Sequence, residues 1–165
     1  MYLRMIEDCV KELKGIRVEE EVDPLLNIPV SAYIPENYIS DSSQRLITYK
    51  RLSSAREISD LDGLRLEVED RFGRPPEEVM NLFMVMELRL FAKKLKIIRV
   101  DWKIGSGISI QFSKDNKISN KGIDYLLNPK KKIRFTSEFS LEIQADMISW
   151  DQVFQVSKEE MLRLL

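Results

Sequence analysis

From Ile97 the spacing of apolar residues changes to a period of two. Before it, apolar residues recur at intervals of three and four, as on a helix with one buried face. After it, Ile98, Val100 and Trp102 alternate with Arg99 and Asp101, and Ile108, Ile110 and Phe112 alternate again beyond Gly105-Ser106-Gly107. Alternation puts every second side chain on one face of a strand, and the glycines supply a turn, so this segment reads as a hairpin. A chain that is helical first and strand-forming later is expected to be α+β. The expected architecture is a helical N-terminal half packed on a small, mostly antiparallel sheet, with a C-terminal helix.

Within the helical half, residues 1–14 read as a helix through Leu3, Ile6, Val10 and Leu13, ended by Gly15. Cys9 falls on its apolar side and reads as a small buried hydrophobe. Glu19-Glu20-Glu21 marks a solvated connection. Residues 28–34 alternate, but Pro29 and Pro35 limit them to a short edge strand at best. Three helices follow. Asp41-Ser42-Ser43-Gln44 fits a capping box, continued by Leu46, Tyr49, Lys50 and Leu52. Ser59-Asp60-Leu61-Asp62 fits a second, for a helix ending at Phe72-Gly73. Pro75-Pro76-Glu77-Glu78 opens the third, where proline costs no hydrogen bond and the acids suit the positive helix end. Its apolar positions, Val79, Leu82, Phe83, Met86, Leu90 and Phe91, cover so much of the circumference that it is expected to be the most buried element. After the hairpin, a short helix is expected around Gly122–Leu127. Ile133 and Phe135, then Phe139, Leu141 and Ile143, suggest a second strand pair. A terminal helix is expected from about Met147, broken near Ser157, where Ser157-Lys158-Glu159-Glu160 fits another box.

Composition removes most catalytic classes. Hydrophobic residues make up 44% and charged residues 32% of 165 positions, a globular balance sized for one domain with an appended segment. There is no histidine and one cysteine. Ser-His-Asp and Cys-His sites are therefore impossible, as are mixed His/Cys zinc sites. No GxxxxGK[ST] or GxGxxG loop is present. Carboxylate or lysine chemistry stays open on composition, but nothing points to a substrate, so we expect no catalytic residues, no cofactor, no metal and no enzyme. No apolar run is long enough to span a bilayer, and Met1-Tyr2-Leu3-Arg4 opens directly into an amphipathic pattern, so neither membrane nor export signal is expected. With one cysteine, a reducing, cytoplasmic location is expected. The net charge of −1 gives no bulk attraction to nucleic acid.

Three charged groups stand out. Lys130-Lys131-Lys132 could contact a nucleic acid with Trp102 or Trp150, although lysines before a strand also serve as edge protection. Arg45, Lys50 and Arg51 line one helix with Tyr49. Glu67, Glu69 and Asp70 crowd the last turns of the next helix beside Arg71. Glu67 and Asp70 are three positions apart and share a face. Negative charge there opposes the helix dipole by about 0.3–1 kcal/mol, so the acids lack a local helical rationale. They read as a solvated face or as a docking surface.

The segment Ala32-Tyr33-Ile34-Pro35-Glu36-Asn37-Tyr38-Ile39, followed by Asp41, Gln44-Arg45-Leu46 and Tyr49-Lys50-Arg51-Leu52, resembles one family, as does Glu67-Val68-Glu69-Asp70-Arg71-Phe72-Gly73-Arg74-Pro75-Pro76. The helix ending Ala92-Lys93-Lys94-Leu95 follows in the same order. The two signatures together are similar to the C-terminal domain of bacterial transcription-repair coupling factors. Lys96 is a departure, standing where the pattern leads us to expect glycine. The resemblance implies that residues 1–15 are a helical exit from an upstream motor module and that 16–165 form a regulatory domain. The parent is then an ATP-dependent DNA translocase that displaces stalled RNA polymerase and recruits excision repair. In the family this domain is not catalytic. It packs on an N-terminal module similar to UvrB and hides the surface that binds UvrA. Carried over residue by residue, Glu67, Asp70 and Arg71 lie in that interdomain contact, with UvrA, RNA polymerase and DNA as indirect partners. An accessory nucleic-acid-binding module, using Arg45–Arg51 and Lys130–Lys132, is the alternative.

Overall fold

The computed structural model describes residues 22–127 and 132–165. The helix expected over 1–14, with Cys9, and the triple glutamate at 19–21 lie outside them. The described elements run β1 (Leu25–Asn27), α1 (Ser42–Ser54), α2 (Ile58–Phe72), α3 (Glu77–Lys94), β2 (Ile97–Trp102), β3 (Ser106–Phe112), α4 (Asn120–Leu126), β4 (Ile133–Phe135), β5 (Ser140–Met147) and α5 (Trp150–Leu164). The fold is α+β, as the change of period requires.

The five strands are ordered β1-β2-β3-β5-β4. Only β1 with β2 is parallel, with Leu26 opposite Val100; the other three pairings are antiparallel. The β2–β3 hairpin turns at Gly105, whose φ of 76° suits glycine. Gly107 is required for another reason: a Cβ there would sit 2.1 Å from the Ile143 carbonyl oxygen of β5. The inward-facing Val100, Trp102, Ile108, Ile110, Phe112, Leu141 and Ile143 pack with α5 and the end of α3 into the larger core. A second core joins α1, α2 and the start of α3 through Ile34, Ile39, Leu52, Leu61, Leu64, Val68, Val79, Leu82 and Phe83.

Helix α3 belongs to both. Leu88, Phe91 and Ala92 enter the sheet core, while Val79, Leu82, Phe83 and Leu90 enter the helical one. Of its residues only Glu77 and Lys94 are exposed. Phe83 and Leu90 are buried and Met86 half-buried, in line with the continuous apolar circumference. A strap formed by residues 28–34 runs along α3 between the lobes. It is held where Asn81 donates to the Ser31 carbonyl (3.1 Å), the Tyr33 N–H donates to Glu78 O (3.3 Å), and the Ile34 N–H donates to the Tyr49 hydroxyl (2.7 Å).

Several sequence expectations need correction. The early strand is Leu25–Asn27, not 28–34. Pro29 removes a donor within the expected run, and the Val30 N–H turns back to Ile28 O at 2.9 Å. Helix α2 starts at Ile58, ahead of the expected box, because the Asp60 carboxylate accepts the Arg56 and Glu57 N–H groups at 2.9 and 3.0 Å. Helix α5 is unbroken. Its cap is Ser149, which accepts the Gln152 N–H, and Ser157 is fully buried mid-helix on the face shared by Val153, Phe154, Met161 and Leu164. Leu46, which continues the first capped helix as expected, points outward at 56% exposure.

Lys96 adopts φ 54°, the left-handed conformation that glycine takes without strain. For a residue with Cβ this costs about 1–2 kcal/mol. The surroundings hold the turn in place. The Lys96 N–H donates to Lys93 O (3.1 Å), its carbonyl accepts the Ser113 N–H (2.9 Å), and Nζ pairs with Asp115 at 2.6 Å.

Candidate interdomain interface

Helices α1 and α2 present one face built around Glu67. Both carboxylate oxygens of Glu67 receive the Arg51 guanidinium of α1, at 2.8 Å each. Arg71, one turn further along α2, adds a contact to Oε1 at 3.4 Å and donates through Nη2 to the Gln44 side-chain oxygen of α1 at 2.8 Å. Hydrogen bonding from Arg51 holds the Glu67 carboxyl below its ordinary range, although the group remains open to water. Between these ties lies a cavity of about 180 Å³, lined in part by Ile47, Leu64, Val68 and Phe72. Arg71 also lies over the Phe72 ring, 5.0 Å from its centroid, and Phe72 meets Tyr38 edge-on at 6.1 Å.

The three residues assigned to the interface thus differ. Glu67 and Arg71 are brought together and serve the α1–α2 contact. Glu67 has a local rationale after all: it neutralises Arg51 across the helix pair. Asp70 is exposed and has no ion-pair partner among the described residues. Beside it, one turn back on the same face, stands Leu66 at 65% exposure. Across on α1, Ile47, which lines the same cavity, is 55% exposed. The face therefore combines an unpaired acid with outward apolar side chains. Gln44 and Arg51 belong to it and were read differently from sequence, one as a capping residue and the other within a basic stretch. Their seven-residue spacing puts them on one face of α1, as the four-residue spacing puts Glu67 and Arg71 on one face of α2, and this was the available signal.

The basic groups considered for nucleic acid are placed less favourably. Arg45 donates to the Ile39 and Ser40 carbonyls at 2.7 and 3.0 Å and pairs with Glu36 at 3.0 Å, and Arg51 is held by Glu67. Trp102 and Trp150 are 4% and 8% exposed, so neither offers a ring for bases to stack on. Lys132 is exposed, whereas Lys130 and Lys131 lie outside the described residues. Among the described residues, no group of three or more acidic or cysteine side chains could hold a metal ion, and no helix is long and apolar enough to cross a membrane.

Two lobes share one helix, and the outer helix pair carries a charged and partly apolar face. The chain belongs to the TRCF domain family, whose model matches residues 28–123. It is 30% identical over 155 residues to the transcription-repair-coupling factor of Haemophilus influenzae, covering 89% of this chain and 13% of that protein. It is 35% identical over 98 residues to the Bacillus subtilis factor, covering 59% of this chain and 8% of the relative. The chain thus spans a small fraction of the relatives it matches. In structure it is similar to the crystallised C-terminal domain of a transcription-repair coupling factor, with a TM-score of 0.73, 22% identity, and 89% of this chain and 96% of that chain covered. The residues matched by the family model include the whole α1–α2 face; β4, β5 and α5 fall beyond its limit at 123.

Proposed function

We propose that this chain is a non-catalytic, autoregulatory interaction domain of a transcription-repair coupling factor. In this reading it docks through the α1–α2 face on an N-terminal UvrB-like module of the same protein and masks that module's UvrA-binding surface. The observation that carries it is the exposed Asp70, without an ion-pair partner among the described residues, beside Leu66, next to Glu67 and Arg71, whose charges are tied to α1. An unpaired acid next to outward apolar side chains suits a partner surface of basic and apolar residues. The parent would be an ATP-driven DNA translocase acting on stalled RNA polymerase, with its motor outside this chain, working in the cytoplasm.

A weak contact suffices for such a lock. Tethering within one protein gives an effective concentration of order 1 mM. If the separate faces bind with a dissociation constant of about 10 μM, closed outnumbers open by roughly 100 to 1. That costs an outside partner about 2.7 kcal/mol of apparent affinity, yet a modest competing interaction reopens the lock. The test is titration of this chain with the separately produced N-terminal module. Binding in the micromolar range, weakened by Asp70→Lys, is expected. No binding at 100 μM or above would contradict the docking role.

A further inference from the structure

We propose that Tyr38 is a positioning residue of the docking face, holding from outside the helix pair the last turn of α2, which carries Asp70 and Arg71. The inference rests on the docking role proposed above and adds a residue to that site. The last carbonyls of a helix have no partner within it, and negative charge beside them works against the helix dipole. Helix α2 meets both difficulties at one end, because Glu69 and Asp70 stand just before Phe72 and Gly73. The Gly73 N–H returns to Glu69 O at 2.9 Å. Tyr38 supplies a second tie from elsewhere in the chain. Its hydroxyl donates to the Gly73 carbonyl at 2.7 Å, with the Val68 carbonyl a further neighbour at 3.4 Å. Burial, with Glu69 adding to it, holds this hydroxyl above its ordinary range, so it keeps its proton and stays a donor at neutral pH.

The side chains of the turn depend on the same tyrosine. The Tyr38 ring meets Phe72 edge-on at 6.1 Å, and the Arg71 guanidinium lies 5.0 Å from the centroid of that Phe72 ring. Arg71 then reaches Gln44 on α1 at 2.8 Å. Tyr38 is itself fixed from the other side. Its N–H and that of Ile39 both donate to Pro35 O at 3.1 Å, and Arg45 donates to the Ile39 carbonyl at 2.7 Å. Ile34 and Ile39, on either side of it in the chain, are 5% and 1% exposed in the helical core. The anchor therefore belongs to the core, while the turn it holds lies at the surface. Asp70 has no ion pair among the described residues to fix its side chain, so its place beside Leu66 is set by the backbone of this turn, and the backbone is what Tyr38 pins.

Tyr38→Phe removes the hydroxyl and keeps the ring on Phe72, so the fold is retained, as a melting curve verifies. Wild type, Tyr38→Phe, Asp70→Asn and the double variant are titrated with the N-terminal module well below their melting temperatures. Tyr38→Phe is expected to bind about threefold to tenfold more weakly, the range that one net hydrogen bond can transmit. A residue that served overall stability alone would leave the affinity of the folded domain unchanged. Because Tyr38 acts through the turn that bears Asp70, its loss should cost less than about twofold once Asp70→Asn has removed the charge. Exchange of the Gly73 amide should quicken in Tyr38→Phe while β2 and β3 keep their protection. Equal binding by wild type and Tyr38→Phe, or losses that simply multiply in the double variant, would overturn the proposal. Failure of wild type itself to bind would instead overturn the docking role, and this inference with it.

Discussion

The helical lobe and the sheet lobe share α3 but are held together differently. In the sheet lobe, strands on both sides satisfy the backbone of β2, β3 and β5, and side chains such as Val100, Ile110 and Leu141 are wholly excluded from water. In the helical lobe, α1 buries only Thr48 and Leu52, and much of its attachment to α2 is polar, through Arg51–Glu67 and Gln44–Arg71. The candidate docking face lies on the lightly held side. In the docking role proposed above, the surface that engages and releases would be carried by an element with few buried apolar contacts, with the sheet and α3 as the rigid mount.

The contrast can be broken by mutation. Phe112→Ala, at a side chain 2% exposed in the sheet core, is expected to cost about 3–5 kcal/mol and lower amide protection in both lobes, because α3 joins them. Leu52→Ala should cost about 2–4 kcal/mol, with lost protection concentrated in α1 and its contacts with α2. Hydrogen exchange measured on both variants distinguishes the patterns. Equal loss across the molecule for Leu52→Ala would mean that α1 is as firmly integrated as the strands.

Acid sharpens the comparison further. In the sheet lobe, the Lys96 and Ser113 hydrogen bonds hold the Asp115 carboxyl at about 2, well below its ordinary 3.8. A depressed carboxylate contributes stability that is fully present above its unfolded value and lost as pH falls through the folded one. The Asp115 contribution should therefore fade between about pH 4 and 2, and Asp115→Asn should lose that dependence. Glu67, lowered chiefly by its Arg51 hydrogen bond, follows the same sign in the helical lobe, with loss beginning as pH drops through the ordinary glutamate range. Melting temperatures of wild type, Asp115→Asn and Glu67→Gln across that range measure each contribution.

How far the sequence could be read follows the same divide. The switch of period at Ile97 placed the hairpin and the central helix correctly, because both depend on local spacing. The early strand was misplaced because β1 is defined by pairing with Val100, far along the chain, which no local pattern encodes. Ser157 was misread for a related reason. A serine followed by acids resembles a cap, but its depth in the core is set by α5 packing on the sheet and on α3. Lys96 was legible as a departure from the family pattern, and the structure shows the left-handed turn that made glycine the expectation. At the candidate interface, the charges were visible but their pairing was not. Glu67 looked like a free acid because its partner, Arg51, lies on another helix. Charge reversal at Glu67 would therefore set a lysine between Arg51 and Arg71 and disturb α1 as well as docking.

Asp70 avoids that confusion. Asp70→Lys should alter stability by about 0.5 kcal/mol or less, the smallest effect on folding expected here, because Asp70 has no ion-pair partner among the described residues. It is consequently the cleanest probe of masking. The decisive measurement is a titration of UvrA against the full-length parent protein, as wild type, as Asp70→Lys, and with this domain deleted, under one salt condition. Masking predicts that deletion tightens UvrA binding by about 100-fold and that Asp70→Lys gives an intermediate gain. Equal UvrA binding by all three proteins would contradict it.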